Sequence, residues 1–347
     1  MIAGLDRGIV AALAAALLFG AGTPFAKLLL AHTDPWLLAA LLYLGSGTGL
    51  WLVRRVRNAD AVRPSRSEWG WLAGATLAGG VVGPVLLMYG LTSMSATGAS
   101  LLLNAEGVFT ALIAWFVFKE NFDRRIAFGM LAIVAGAVVL SWPGELSMRV
   151  EVGALAVLGA CLAWAIDNNL TRKVSLSDAS FIAMVKGLAA GSTNLLLAWK
   201  LGSSWPEIST LSAAALLGFL SYGASLVLFV VALRHLGTAR TGAYFSVAPF
   251  FGALLGVLML KEPVTLQLLA AGALMALGVW LHLTEQHGHL HTHEPEEHTH
   301  EHIHDAHHQH VHADGTAASE AHTHAHVHVV VTHSHGHYPD AHHRHTH

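Results

Sequence analysis

Charge is what this chain has least of. Only 12% of its 347 residues are Asp, Glu, Lys or Arg, while 54% are hydrophobic, and a soluble domain carries about twice that charged share. Cysteine is reduced to Cys161, which excludes an intrachain disulfide and leaves the redox compartment open. No G-x-x-x-x-G-K-[ST] loop is present to cradle the phosphates of ATP. The apolar runs hold no nucleophile–base pair and no metal triad, so an enzyme is the least supported class. No nucleic-acid partner is expected.

What fills the chain instead is a series of apolar runs near the roughly 20 residues that cross a bilayer. A soluble helical bundle would need polar stripes at helical period, and these runs lack them. The expected fold is an all-α polytopic membrane protein with ten spans: Gly8–Leu30, Trp36–Val53, Trp69–Leu91, Gly98–Phe118, Ile126–Trp142, Val152–Leu170, Ala179–Trp199, Leu211–Leu233, Thr241–Leu260 and Leu266–Leu283. The first run follows Arg7 as a signal peptide would, but it is too long for a secretory core, and more spans follow.

Basic residues set an orientation. With the N-terminus in the cytoplasm, the inner segments hold thirteen Lys and Arg, among them Arg54, Arg55, Arg63, Arg124, Arg172 and Arg240. The outer loops hold only Arg149, Lys200 and Lys261. This is a positive-inside bias, and an even number of spans returns the C-terminus to the same side. Trp36, Trp69, Trp71, Trp142, Trp199, Trp205 and Trp280 stand near span ends, as an interfacial belt does.

The chain repeats itself. A shift of 142 residues superposes Phe109, Ala111, Leu112, Lys119, Glu120 and Gly136 on Phe251, Ala253, Leu254, Lys261, Glu262 and Gly278. The halves divide after the fifth span, at 1–145 and 146–283. Five is odd, so the second half enters the membrane from the opposite side, an arrangement typical of secondary transporters. Gly22-Thr23-Pro24 in span 1 aligns with Asp167-Asn168-Asn169 in span 6. Helix interruptions are expected there, and matched interruptions point to a transport site.

Two inverted five-helix repeats, each with Lys-Glu between apolar helices, resemble the EamA-type transporters of the drug/metabolite transporter superfamily. Ser246-Val247-Ala248-Pro249-Phe250 before Lys261-Glu262-Pro263 carries the resemblance in the second half. It covers about residues 8 to 283. It implies the ten-helix fold and a small-molecule substrate in an inner membrane. The first half departs from the family pattern, with Glu106-Gly107 where the family often has proline.

Four ionisable residues fall inside spans: Lys27, Glu106, Asp167 and Lys186. Such residues face a cavity or pair with one another. Glu106 is expected to bind substrate or proton, with a structural ion pair to Lys186 as the alternative. Asp167 either joins the pathway or is solvated near the cytoplasmic end, and Lys27 is expected to snorkel. Thr23, Asn104, Glu106, Asn168 and Tyr244 are expected to line one cavity, and Thr110 and Tyr222 are further polar candidates. Gly107, Gly136, Gly252 and Gly256 are expected to allow close packing.

From Thr284 the composition changes to 23 histidines, nine acidic residues and one arginine. This tail is expected to be disordered and cytoplasmic. His298, His300, His302 and His304, and again His322, His324, His326 and His328, alternate so that neighbours share a side of an extended chain. Zinc, nickel, cobalt and copper all suit imidazole, although no cofactor is required by the membrane region. The leading reading is a secondary transporter exporting a small metabolite or amphipathic compound, with proton coupling. A divalent-metal transporter with the tail as collector is the alternative, weakened by the scarcity of carboxylates in the spans. A metal-sensing membrane protein is the third.

Overall fold

In a bilayer every backbone polar group needs a partner within the protein, so long apolar runs fold as helices. The computed structural model describes residues 7–59, 62, 64–117, 124–141, 148–174, 178–232, 244–283, 287–293, 297–302, 322–327 and 331–337. It divides into two units, 1–285 and 286–347.

The first unit is helical. Its elements are α1 (Arg7–Leu29), α2 (Pro35–Val56), α3 (Arg66–Ala75), a π-helical segment π1 (Thr76–Val82), α4 (Gly83–Ser93), α5 (Ala96–Leu102), α6 (Ala105–Phe116), α7 (Arg124–Ser141), α8 (Met148–Thr171), α9 (Ala179–Lys200), α10 (Ile208–Gly218), a second π segment π2 (Phe219–Ala224), α11 (residues 225–232), α12 (Ala248–Leu260) and α13 (Leu266–Leu283). Among the described residues, seven helical stretches are long and apolar enough to cross a membrane, and Ala127–Leu140, Ala248–Leu260 and Leu266–Leu281 are shorter apolar helices.

Local chemistry fixes the helix starts. Asp34 accepts from the Trp36 and Leu37 amides ahead of α2, with Pro35 at the first helical position. Ser65 and Glu68 form a reciprocal capping box on α3. Asp178 accepts from the Ser180 and Phe181 amides to start α9. It also receives Arg54 Nη1 at 2.8 Å.

Packing follows a reciprocal plan. α2 lies against α9, and α7 against α13. α1 packs on α12, π2 and α10, while α8 packs on α6, π1 and α4. The two self-matched seams are lined with glycine. A methyl added at Gly47 on α2 would sit 2.5 Å from the Leu188 nitrogen on α9, and one at Gly187 would sit 2.7 Å from the Gly47 Cα. At the other seam, Gly278 on α13 abuts the Gly129 carbonyl, and Gly136 on α7 abuts that of Ala271. Gly252 and Gly256 on α12 pack closely on α1 and α5 as expected. Gly107 does not: it is exposed, with open space where a side chain would stand.

The helix breaks fall elsewhere than the sequence indicates. α1 runs unbroken through Gly22-Thr23-Pro24, and α8 through Asp167-Asn168-Asn169. On α8 the polar residues are satisfied by side-chain bonds and do not unwind the helix: Asn169 Nδ2 donates to the Ala165 carbonyl at 2.9 Å, and Thr171 Oγ1 to Asp167 Oδ1 at 2.8 Å. The breaks lie in the third and fourth spans of each half. π1 and π2 begin 143 residues apart, at Thr76 and Phe219. The turn at Leu103-Asn104 that separates α5 from α6 recurs at Ser246-Val247 before α12, again 143 apart.

The tail, expected to be disordered, contains paired strands among its described residues: β1 (His287–His293), β2 (Glu297–His302), β3 (His322–Val327) and β4 (Val331–His337). β1 pairs antiparallel with β4, and β2 with β3. Alternation of histidine with Thr, Val or another residue fits the two-residue period of a strand. His304 and His328 lie outside the described residues, as do Lys119 and Glu120.

Candidate functional site

Span 3 changes from α to π geometry at Thr76, and the Gly79-Gly80 pair lies inside the π segment, where a looser turn leaves carbonyls that need donors. Three neighbouring helices supply them. Tyr43 Oη on α2 and Trp164 Nε1 on α8 both donate to the Gly79 carbonyl at 2.8 Å. Asn194 Nδ2 on α9, fully buried, donates to the Gly80 carbonyl at 3.2 Å. Trp164 and Asn194 carried no functional reading in the sequence, where an indole or amide inside an apolar run resembles any packing residue.

Beside π1 lies a buried ion pair. Lys186 Nζ on α9 donates to Asp167 Oδ1 and Oδ2 on α8, at 2.5 and 2.6 Å. Asp167 is 6% exposed and packs directly over Gly79, whose missing side chain makes the room. Asp167 is therefore not solvated at a helix end. Its carboxylate also takes the ammonium that the sequence offered to Glu106.

One residue further along α8, Asn168 Nδ2 donates to Glu106 Oε1 at 2.7 Å, and Asn169 Nδ2 to the Thr110 carbonyl at 3.2 Å. Glu106 is half-buried at the start of α6. Among the described residues, no lysine or arginine lies within ion-pair distance of it. The site thus holds one carboxylate locked to a cation and a second bound only by an amide. α8 supplies both contacts, through adjacent residues.

The remaining candidates are not part of this cluster. Asn104 is buried at the α5–α6 break and donates to the Leu101 carbonyl at 2.9 Å. Thr23 is buried in α1. Tyr244 packs on Ala11, Ala12 and Ala232. Tyr222 stacks edge-on to Phe19, with centroids 5.9 Å apart, and tilted against Tyr43. A cavity of about 360 Å³ lies at the other end of α1, lined by Lys27, Thr92, Ser93, Met94, Ser95, Gly98 and Leu140, and none of the expected cavity residues contributes to it. Lys27 does not reach outward there. Its ammonium donates to the Leu91 carbonyl and, at 3.0 Å, to that of Met94 at the end of α4. Glu262 closes α5, not its own helix, by accepting from the Ala96 and Thr97 amides at 2.7 and 2.8 Å.

Apolar helices around paired polar groups define an integral membrane protein of the transporter class. The chain belongs to the EamA-like transporter family, whose pattern matches residues 6–142 and again 151–284. It is 28% identical over 292 residues to an uncharacterized transporter of Methanothermobacter thermautotrophicus, covering 79% of this chain and 85% of that one. An uncharacterized transporter of Archaeoglobus fulgidus is 27% identical over 270 residues, covering 76% and 92%. A shorter likeness, 37% over 87 residues, covers 25% of this chain and 74% of a probable 4-amino-4-deoxy-L-arabinose-phosphoundecaprenol flippase subunit ArnE of Pseudomonas fluorescens. A solved crystal structure shares the fold, with a TM-score of 0.62 at 20% identity over 81% of this chain and 99% of that one.

Proposed function

We propose that this transporter consists of two five-helix repeats, about residues 1–145 and 146–283, set in opposite orientations with both termini cytoplasmic. It exports a small polar or amphipathic metabolite across an inner membrane by alternating access. Two matches of one family pattern, the reciprocal helix pairs and the breaks repeated 143 residues apart support the inverted repeat. The positive-inside bias supports the orientation. The likeness to a flippase subunit supports a substrate with an apolar part.

One observation carries the mechanism: among the described residues, Glu106 is held by the Asn168 side chain alone, next to a closed Asp167–Lys186 pair. A carboxylate inside a membrane is retained for a functional reason as a rule. Glu106 can exchange a proton, or accept a donor from substrate, by giving up one amide bond, whereas Asp167 would have to break an ion pair. Glu106 is the coupling group, Asn168 orients it, and Asp167 with Lys186 holds α8 to α9 behind it. Because adjacent residues of one helix carry both contacts, a shift of α8 transmits protonation at Glu106 to the seam between the halves.

Reconstitution in proteoliposomes against a metabolite panel, with and without a pH gradient, tests this. Glu106→Gln keeps the Asn168 bond and removes the charge. It is expected to fold normally and lose gradient-driven flux at least tenfold. A wild-type rate with unchanged pH dependence would leave Glu106 a packing residue only.

A further inference from the structure

The tail contains an arrangement that transport does not use. In the β1–β4 sheet the register sets His287 opposite His337, His289 opposite His335 and His291 opposite His333. In the β2–β3 sheet it sets His298 opposite His326, His300 opposite His324 and His302 opposite His322. Positions two apart share a face of a strand, and directly opposed Cβ positions lie about 4.5–5.5 Å apart. The β2–β3 sheet therefore has six histidine positions on one face and the β1–β4 sheet seven, His293 standing opposite Val331; each forms a ladder of three histidine rungs. The alternate positions carry none: Gly288–Gly336, Leu290–Ser334 and Thr292–Thr332 in one, Glu297–Val327, Thr299–Ala325 and Glu301–Thr323 in the other. A slip of one residue would set every one of these histidines against a different residue type.

The same numerical register holds in both sheets, and three residues of sequence separate β1 from β2 and β3 from β4. Histidine stands at odd numbers in β1 and β4 and at even numbers in β2 and β3. The two ladders thus occupy positions of opposite parity and form separate donor sets.

We propose that the tail holds two separate transition-metal sites, each made by two neighbouring cross-strand histidine rungs. Rungs follow one another at about 6.8 Å, two residues of strand rise, so two rungs bring four imidazole-bearing positions around one point. Four neutral imidazoles suit zinc, nickel, cobalt or copper. Of the three rungs in a ladder, the central one, His289–His335 or His300–His324, belongs to either choice of neighbouring pair. It is therefore indispensable, while an outer rung is not. The metal in turn ties strands that are distant in sequence, so binding and strand pairing are one equilibrium. Imidazole binds as the neutral form, so affinity falls as pH drops through about 6.5. This inference stands apart from the transport reading.

Zinc stoichiometry on the full chain in detergent, read by competition with a chromophoric chelator, tests it. Wild type is expected to hold two tight ions. His300→Asn with His324→Asn should leave one, and adding His289→Asn with His335→Asn should leave none. His298→Asn with His326→Asn, an outer rung, should still leave two, as should His304→Asn with His328→Asn. Equal losses from the central rung and from His304 with His328 would mean that binding follows the number of histidines and not the register, and would overturn the proposal. A central-rung variant that keeps both ions would overturn it as well. Strand pairing is read separately by disulfide formation. Thr299→Cys with Ala325→Cys, directly opposed, should cross-link faster with zinc, and Thr299→Cys with Thr323→Cys should gain less. Equal yields with and without zinc would refute the coupling.

Discussion

π1 in the first half and π2 in the second start 143 residues apart, and each lies against the first helix of the other half, π1 on α8 and π2 on α1. Their surroundings differ. At π1 the carbonyls of Gly79 and Gly80 take Tyr43, Trp164 and Asn194, and the Asp167–Lys186 pair closes over the glycine. At π2 the neighbours are rings: Tyr222 against Phe19 and Tyr43, with Phe245 between Phe19 and Phe229. Among the described residues, no side chain of a neighbouring helix donates to a π2 carbonyl. Ser225, just beyond π2, donates instead to Ala15 of α1 at 3.0 Å. The Trp164 indole of one half aligns with the Phe19 ring of the other. The backbone irregularity recurs while the chemistry around it differs, so the polar site is one-sided.

The largest test of that difference is the ion pair. Asp167→Asn or Lys186→Met alone leaves a buried charge unpaired and should cost about 3–5 kcal/mol, read as a lower melting temperature and poorer yield in detergent. The double variant should recover most of the loss. If both singles melt like wild type, the first-half break does not depend on its ion pair. Matched glycines come next. A methyl at Gly80 would lie 2.6 Å from the Ala190 Cβ, whereas one at Gly223 meets side chains no nearer than the Phe219 ring at 3.3 Å. Gly80→Ala should therefore cost about 1–3 kcal/mol, and Gly223→Ala clearly less, by thermal unfolding. The tyrosines at the two breaks follow. Tyr43→Phe removes a donor from the Gly79 carbonyl and should cost about 0.5–1.5 kcal/mol, while Tyr222→Phe should be neutral. Equal effects would erase the asymmetry.

The smallest effect lies away from both breaks. Partial burial pushes the Asp178 carboxyl up, but hydrogen bonds from Ser180, Arg54 and the Phe181 amide outweigh that and hold it below the usual carboxylate range. The folded state therefore gains from the ionised form above the unfolded value of about 3.9. That gain is lost as pH falls from there through the lower folded value. The pair is partly exposed, so the contribution should be about 0.2–1 kcal/mol. Asp178→Asn should flatten the acid side of the melting-temperature profile by that amount.

Much of the helical order was legible because apolar length and depth are one-dimensional properties. The runs after Arg7, Asp34, Ser65 and Asp178 begin where caps and charges end. The repeat was legible because Gly136 and Gly278 sit at seams that tolerate little else. What stayed hidden was azimuth. Glu106 and Lys186 both fall mid-span in the sequence, but Asp167 is on the face of α8 that packs on π1, where Lys186 reaches it, and only packing decides that. Pro24 suggested a break because it lacks a donor, yet α1 absorbs it. The true breaks carry a weak signal: Gly79-Gly80 reads as ordinary small-residue packing. In the tail, alternation was visible, but the partner of each strand was not, since pairing joins segments up to fifty residues apart.

The glycine seam between α2 and α9 has a consequence for variation. At Gly47, Gly187 and Gly191 a backbone atom of the opposing helix would lie 2.5 to 2.7 Å from an added methyl. A neighbouring side chain can rotate away from a new methyl, whereas a helix backbone can only move as a whole. Compensation by a second substitution is therefore closed at these positions, as it is not at Gly223. In a saturation library selected for transport, residues 47, 187 and 191 should return as glycine alone. Residue 107, next to Glu106 but facing open space, should return a wide alphabet.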